Sequence, residues 1–306
     1  MVAGVNRVVA VVGPTATGKS EFGVALAARL GGEIVNADSM QLYQGMDIGT
    51  AKLPVQERGG VPHHLLDIWP VTKTASVAEY QALARAALAR VWDAGRLPIL
   101  VGGSGLYVRA VLDDLVFPGA DAAVRAALEA ELAVVGPARL HARLAAANPA
   151  AASAILPTNG RRIVRALEVM AIGGRPFTGV MPPYSSIFDA VLIGLDRDPA
   201  ELDARVERRV DEMLSRGLVD EVRHLADACG LRSGVTASRA LGYKQVLAML
   251  DGSLTQAEAR SHTVLATKRF VRRQRSWFRP DPRVHWLRAP SVEEAVELIG
   301  WLPSEA

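Results

Sequence analysis

One short segment constrains the fold of this chain more than any other. It is Gly13-Pro14-Thr15-Ala16-Thr17-Gly18-Lys19-Ser20, which fits the pattern G-x-x-x-x-G-K-[ST]. A valine-rich run over Arg7 to Val12 precedes it, and an alanine- and leucine-rich stretch without proline, Lys19 to Leu30, follows it. Strand, glycine loop and helix in this order predict a loop whose backbone N–H groups bind a diphosphate or triphosphate. We expect all eight residues to bind the phosphates, with the Ser20 hydroxyl also a ligand of Mg²⁺.

Further strand and helix patterns follow this loop. Apolar runs over Glu33 to Ala37, Leu97 to Val101 and Ala190 to Leu195 predict buried strands, and Val77 to Asp93 predicts a helix. Strands that alternate with helices form parallel sheets with both faces covered. We therefore predict an α/β fold, with a P-loop NTPase-like parallel sheet flanked by helices.

The stretch between the third and fourth predicted strands has a different pattern. It is alanine-rich and helical, and it is interrupted by three helix-breaking pairs: Gly136-Pro137, Asn148-Pro149 and Gly173-Gly174. We therefore predict a helical insertion domain at 114–189, within a core formed by 1–113 and 190–306. Beyond the fourth strand, the pattern predicts helices from Pro199 to His262 and a basic helix from about Ser261 to Phe278.

Composition narrows the class of protein. Half of the 306 residues are hydrophobic and 22% are charged, which is enough apolar material for a sizeable core. No stretch reaches the roughly 18 uninterrupted apolar residues of a membrane span, and the first residues do not resemble a secretory signal. The single cysteine, Cys229, has no partner for an internal disulfide and is predicted to be a small buried side chain. We expect a cytoplasmic protein with no membrane attachment.

Polar residues follow the second predicted strand in the run Asn36 to Tyr43. Ligands of open α/β sheets bind at the carboxyl ends of the strands, so Asp38 is predicted to face the phosphate loop. A carboxylate there can hold Mg²⁺ through water or accept a proton from a nucleophile, and Ser39 and Gln41 can hydrogen-bond a base edge. The alternative is that Asp38 merely caps a helix.

Two further loops carry polar groups. Gly102-Gly103-Ser104-Gly105 follows the third strand and places a hydroxyl at the same sheet edge, with small neighbours that leave room for a bulky group. The adjacent His63 and His64 point opposite ways on an extended chain, so we expect them and Asp67 to fix a loop by hydrogen bonds rather than to bind a metal.

Basic residues cluster on three predicted helices: Arg161, Arg162 and Arg165; Arg205, Arg208 and Arg209; and Lys268, Arg272, Arg275 and Arg279. Nine Lys or Arg against one acid lie between Arg260 and Arg288. The last cluster forms one helical stripe, suited to an RNA backbone or simply a solvated face. We expect Trp277 and Phe278, interleaved with it, to lie mainly in the core.

Together these motifs resemble the tRNA dimethylallyltransferase (tRNA isopentenyltransferase) family of bacterial type. The matching segments are GPTATGKS, NADSMQLYQGMDIGTAK, HHLLDI, GGSGLY, NGRRIVRALEV, ALGYKQ and KRFVRRQRSWFR. The resemblance implies transfer of a dimethylallyl group from its diphosphate to N6 of the adenosine 3′-adjacent to the anticodon, with Mg²⁺. It also implies that tRNA is a binding partner. We further expect the protein to be a monomer.

The resemblance assigns roles residue by residue. It implies that Asp38 is the general base, Ser104 lies where the base meets the prenyl donor, and Arg205 binds the diphosphate. Ser104 stands where the family usually has threonine, and Arg161 where many members have glutamine. The implied tRNA-binding residues are Asp38, Ser39, Met40, Gln41, Ser104, Arg125, Arg161, Arg162, Ile163, Val164 and Arg165, to which we add Lys268, Arg272 and Arg275 of the basic stripe.

Three alternatives remain open at this point. A small-molecule kinase could use the Arg161 cluster as a lid, although it would need a nucleotide base pocket and would not need the basic stripe. A non-catalytic NTPase switch would bind RNA without forming product. Prenylation of free adenine nucleotides would also leave the stripe unexplained.

Overall fold

The computed structural model describes residues 6–173, 178–287 and 291–300. Six parallel strands form one sheet in the order β3-β2-β4-β1-β5-β6. The strands are β1 Arg7–Val12, β2 Gly32–Asn36, β3 His63–His64, β4 Leu97–Gly102, β5 Asp189–Leu195 and β6 Val284–Leu287. The helices around the sheet are α1 Lys19–Leu30, α2 Val77–Asp93, α3 Gly105–Leu112, α7 Pro199–Ser215, α8 Leu218–Ala228, α9 Tyr243–Leu250, α10 Gln256–Phe278 and α11 Val292–Ile299. The predicted parallel α/β sheet flanked by helices is confirmed.

The central strand β1 is buried on both faces. Val8, Ala10 and Val12 pack in one apolar cluster that includes residues of α2 and α3. Val9 and Val11 pack in another, with residues of α1 and α11. Both faces of a parallel strand must be covered, which explains the unbroken valine run.

The register of the sheet sets the position of the functional loops. Val12, the last residue of β1, lies opposite Gly102 of β4 and Gly194 of β5, and β2 pairs with β4 as far as Asn36. The loops that follow β1, β2 and β4 therefore leave the sheet at one edge. They carry the glycine-rich loop, Asp38 and Ser104, as expected from strand polarity.

Residues Leu115–Tyr184 form a compact unit of their own. It contains α4 Ala122–Ala147, α5 Pro149–Ser153 and α6 Gly160–Ala171, with a core of Leu128, Leu140, Leu144, Ile163 and Leu167. The expected boundary at residue 189 is too late, because Asp189 belongs to β5 and Ser186 bridges to Asp113. Gly136 breaks the helical backbone of α4 with φ 75°, while the predicted break at Gly173-Gly174 falls partly outside the described residues.

Three expectations about the C-terminal part need correction. The basic helix begins at Gln256 rather than near Ser261, because the Thr255 side chain caps it and Glu258 bonds back to Thr255. Trp277 lies against Gly105 but is 36% exposed, so it is not a core residue, whereas Phe278 is buried. Cys229 is exposed instead of buried.

None of the described helices combines the length and apolarity needed to cross a bilayer.

Candidate active site

A cavity of about 390 Å³ opens at the carboxyl edge of the sheet. The glycine-rich loop, the loops after β2 and β4, and helix α7 form its walls. The lining residues include Thr15, Ala16, Gly18, Lys19, Ser20, Asp38, Gln41, Ile48, Thr50, Gly103, Arg205, Arg208, Arg209 and Met213. The lining is therefore mainly polar and basic, with some apolar side chains. Such a lining suits a ligand that has both an anionic group and an apolar group.

The glycine-rich loop has the backbone of an anion cradle. Ala16 and Gly18 have φ of 67° and 94°, and the strained Ala16 is held by its surroundings. The Pro14 carbonyl accepts hydrogen bonds from the Thr17 hydroxyl at 2.9 Å and from Lys19 Nζ at 2.6 Å. Burial lowers the pKa of Lys19 to about 8, against the opposing effect of the Asp38 carboxylate, and Arg209 lowers it further. A bound anion would raise this pKa, because it favours the charged amine.

Two arginines of α7 hold the apex of this loop. Arg205 Nε donates to the Ala16 carbonyl at 2.6 Å, and Arg209 Nη1 donates to the Thr15 hydroxyl at 3.0 Å. Burial lowers the pKa of Arg209, which is thus a desolvated cation in the cavity wall. We predicted a site role for Arg205 but not for Arg209. The four-residue spacing, which puts both on one helix face, was the signal that could have identified it.

Asp38 and Ser104 lie in neighbouring loops that are bonded to each other. The Ser39 backbone N–H donates to the Ser104 hydroxyl oxygen at 3.2 Å. The Ser104 hydroxyl in turn donates to the Ser39 hydroxyl oxygen at 3.3 Å. Asp38 Oδ1 accepts from the Met40 N–H at 2.9 Å. Its Oδ2 makes no hydrogen bond with any described residue, so one carboxylate oxygen is available in the cavity wall.

The loop at residues 47–52 is held by groups that sequence reasoning missed. The Glu221 carboxylate accepts from the backbone N–H groups of Asp47, Ile48 and Gly49 at 2.7–3.2 Å, and from the Tyr243 hydroxyl at 2.5 Å. The Thr50 carbonyl accepts from Gln41 Nε2 at 3.2 Å. This network keeps Ile48 and Thr50 in the cavity wall, and the long-range partners explain why no local pattern indicated it.

The two histidines and Asp67 fix loops, as expected. His63 Nδ1 bonds to the Val61 carbonyl, His64 Nε2 to the Glu33 carboxylate, and Asp67 to the buried Lys52. Over the part of the chain that the structure describes, no group of three or more His, Cys, Asp or Glu side chains could hold a metal ion.

The sequence model of the IPP transferase family matches residues 41–281, which is most of the chain. This chain belongs to the IPP transferase family.

Curated relatives of this chain carry the name tRNA dimethylallyltransferase. That of Acidothermus cellulolyticus is 65% identical over 308 residues, covering 99% of this chain and 97% of the relative. That of Streptomyces coelicolor is 68% identical over 292 residues, covering 95% and 93%. The resemblance drawn from the motifs is thus confirmed along nearly the whole length of both chains.

Solved structures agree with the fold. The tRNA isopentenylpyrophosphate transferase from Bacillus halodurans is 41% identical, has a TM-score of 0.71, and covers 96% of this chain and 95% of its own. A eukaryotic dimethylallyltransferase acting on tRNA has a TM-score of 0.79 at 23% identity, with 98% and 81% covered, and supports the fold alone.

The basic stripe of α10 lies against acidic side chains. Lys268 bonds to Glu207 at 2.5 Å, Arg272 is 3.5 Å from Asp203, and Arg275 and Arg279 lie 2.9 and 3.5 Å from Asp196. Lys268 and Arg275 have only 18% and 15% of their side chains exposed, whereas Arg272 has 64%. Much of the stripe therefore joins α10 to α7 and to the end of β5. Among the three residues of the stripe that were predicted to contact tRNA, Arg272 has the most exposed side chain.

In the unit at Leu115–Tyr184, most predicted tRNA-contact arginines already have protein partners. Arg125 and Arg165 bond to Glu168, a fully buried carboxylate whose pKa these hydrogen bonds lower against the effect of burial. Arg162 donates to the Gly179 carbonyl at 2.5 Å. Arg161 is exposed, and no described residue bonds to its side chain. Ile163 and Val164 are buried, so only their backbone or neighbours could reach an RNA.

Proposed function

We propose that this chain transfers a dimethylallyl group from dimethylallyl diphosphate to N6 of the adenosine 3′-adjacent to the anticodon of a tRNA, releasing diphosphate. The observation that carries the proposal is the shared cavity: an available Asp38 carboxylate oxygen and a phosphate-binding loop line the same walls. A tRNA substrate is met in the cytoplasm, where we expect the enzyme to act.

The donor diphosphate binds at the glycine-rich loop. The backbone N–H groups before α1, the helix N-terminus and Lys19 attract its negative charge. Arg209 and Arg205 support the loop apex and add positive charge. These groups are fixed before the reaction, so they stabilise the charge that develops on the leaving diphosphate. Ile48 and Met213 supply apolar lining for the prenyl chain.

Mg²⁺ fits this site through oxygen ligands. The Ser20 hydroxyl lines the cavity beside the loop, and hydroxyl, carboxylate and phosphate oxygens are the ligands that Mg²⁺ prefers. Bound there, the ion would neutralise part of the diphosphate charge. Ser20 is its proposed protein ligand.

The acceptor adenine enters from the side of Asp38 and Ser104, after leaving its stack in the anticodon loop. Its N6 attacks C1 of the dimethylallyl group, the N6–C1 bond forms and the C1–O bond breaks. The electron pair of that bond leaves with the diphosphate. Asp38 accepts the proton that N6 loses, and Ser104 holds the loop that carries Asp38. Ser39, Met40 and Gln41 are proposed RNA contacts beside it.

Further tRNA contacts are proposed on exposed cations. Arg161 is the first candidate in the helical unit, with Arg125, Arg162 and Arg165 beside it. On α10, Arg272 is proposed to contact a phosphate, because its guanidinium is exposed and only loosely paired. Lys268 and Arg275 mainly hold α10 against its neighbours.

A salt titration distinguishes these roles on α10. Arg272→Gln should weaken tRNA binding and lower the magnitude of the slope of log K against log salt by roughly 0.7–0.9, the value for one phosphate contact. Arg275→Gln should leave the slope unchanged and lower the melting temperature, because it breaks the bond to Asp196. Equal slopes for wild type and Arg272→Gln, with an intact fold, would remove Arg272 from the tRNA contacts.

The proposed reaction is tested by incubating the protein and Mg²⁺ with labelled dimethylallyl diphosphate and unmodified tRNA, AMP or no acceptor. Separate reactions contain ATP and no prenyl donor. We expect label in tRNA alone, recovered after digestion as N6-dimethylallyladenosine. Label in AMP would favour prenylation of free nucleotides, ATP-dependent phosphorylation would favour a kinase, and tRNA binding without product would favour a switch.

A further inference from the structure

One buried polar side chain outside the cavity lining connects the two halves of the site. Gln274 of α10 is only 5% exposed, although charged residues flank it in sequence. Val264, Val271 and Phe278 recur every seven residues on the buried face of α10, and Gln274 lies between them on that face. An amide buried at an apolar position costs stability unless both its ends are bonded, so its partners are informative.

Both ends of the Gln274 amide bond to backbone groups of the site. Oε1 accepts from the Thr15 N–H at 2.9 Å, and Nε2 donates to the Gly103 carbonyl at 2.9 Å. Thr15 belongs to the phosphate-binding loop and Gly103 immediately precedes Ser104. One rigid amide therefore spans the loop for the donor and the loop beside the acceptor.

The fit around this amide is close. A Cβ atom placed on Gly103 would lie 2.3 Å from Gln274 Nε2, so residue 103 must be glycine for the amide to reach the carbonyl. The Thr15 N–H is directed to Gln274, and the Thr15 hydroxyl accepts from Arg209. The loop apex is thus fixed both from α10, through the Thr15 backbone, and from α7, through the Thr15 side chain.

We propose that Gln274 is a positioning residue that sets the distance between the phosphate-binding loop and the Ser104 loop for prenyl transfer. The proposal rests on the function proposed above. Gln274 does not line the cavity, so it acts through Thr15 and Gly103 and not on the substrate. A misplacement of reacting groups by about 1 Å can lower a rate by on the order of 10²-fold.

The test compares Gln274→Met, which keeps the length and loses both hydrogen bonds, with Thr263→Val. Thr263 is a buried residue of the same helix whose hydroxyl bonds only to the Ala259 carbonyl of that helix. We expect Gln274→Met to lower kcat by roughly 10–100-fold. The KM for dimethylallyl diphosphate should change less than about threefold, because Lys19 and the helix N-terminus are untouched. Thr263→Val should keep the wild-type kcat.

A second readout does not depend on the reaction. Amide hydrogen exchange should accelerate in Gln274→Met over residues 13–17 and 102–105 and stay at wild-type rates in the rest of the sheet and in α1. Unchanged exchange in those two loops would overturn the proposal. So would faster exchange with a wild-type kcat, or equal loss of kcat in Thr263→Val. If the wild type forms no prenylated tRNA, the proposed function fails. The Gln274 proposal is then decided by hydrogen exchange alone, and it fails as well if the two loops keep wild-type rates in Gln274→Met.

Discussion

Asp38→Asn should lower turnover by roughly 10²–10⁴-fold at saturating substrates, the usual contribution of a general base. The amide cannot accept the N6 proton, but its oxygen can still accept from the Met40 N–H, so the loop should keep its shape. The KM for dimethylallyl diphosphate and the affinity for tRNA should remain near those of wild type. Single-turnover kinetics with labelled donor measure the chemical step directly.

The matched control for this variant is Asp211→Asn. It removes a carboxylate from the exposed side of α7, where Asp211 pairs with Arg260. We expect wild-type turnover for the control. Turnover by Asp38→Asn within a few-fold of wild type would remove Asp38 from the base role, and its location in the cavity wall would then need another explanation.

Lys19→Ala should chiefly affect use of the prenyl diphosphate. A hydrogen bond to a charged group contributes about 1.5–3 kcal/mol, so kcat/KM for the donor should fall by roughly 10–150-fold. The affinity for tRNA should change little. Lys73→Ala is the control, because Lys73 is a half-exposed lysine that pairs with Glu79. Donor kinetics equal to wild type in Lys19→Ala would place the donor elsewhere than the phosphate-binding loop.

Lys19 also predicts a pH dependence of donor binding. Burial lowers its pKa to about 8 in the ligand-free protein, and the diphosphate should raise that pKa on binding because it favours the charged amine. Donor affinity should therefore be constant well below pH 8 and decrease as the pH rises above it. Lys19→Met should lack this component of the decrease. The measurement is a donor titration by calorimetry from pH 6.5 to 9.5 for both proteins.

Most of the sheet and its functional edge could be predicted from the sequence. β1, β5 and the helices α1 and α2 follow from unbroken apolar runs and from glycine at their ends. Strands β3 and β6 were missed because they have only two and four residues, too few to show a period. Their strand character comes from pairing with β2 and β5, which is a tertiary effect.

The candidate site was predictable where its residues follow strands and less so where they come from helices distant in sequence. Asp38 and Ser104 were identified by their position after strands. Arg209, Glu221 and Gln274 reach the same loops from α7, α8 and α10. Their partners are more than 150 residues away in sequence, so only the folded chain reveals the contacts. The exposed Trp277 and the ion-paired basic stripe show the same limitation, because helical spacing does not tell which face meets a neighbour.

The central claim is that the donor diphosphate and the adenine N6 meet in one cavity between Lys19 and Asp38. The most direct measurement is a crystal structure of the protein with an anticodon stem-loop RNA and a non-hydrolysable thio analogue of dimethylallyl diphosphate. We predict the diphosphate on the N–H groups of Gly18 to Ser20, and N6 of the adenine 3′ to the anticodon about 2.6–3.2 Å from an Asp38 carboxylate oxygen. A diphosphate bound away from this loop, or an adenine that stays stacked in the RNA, would contradict the account.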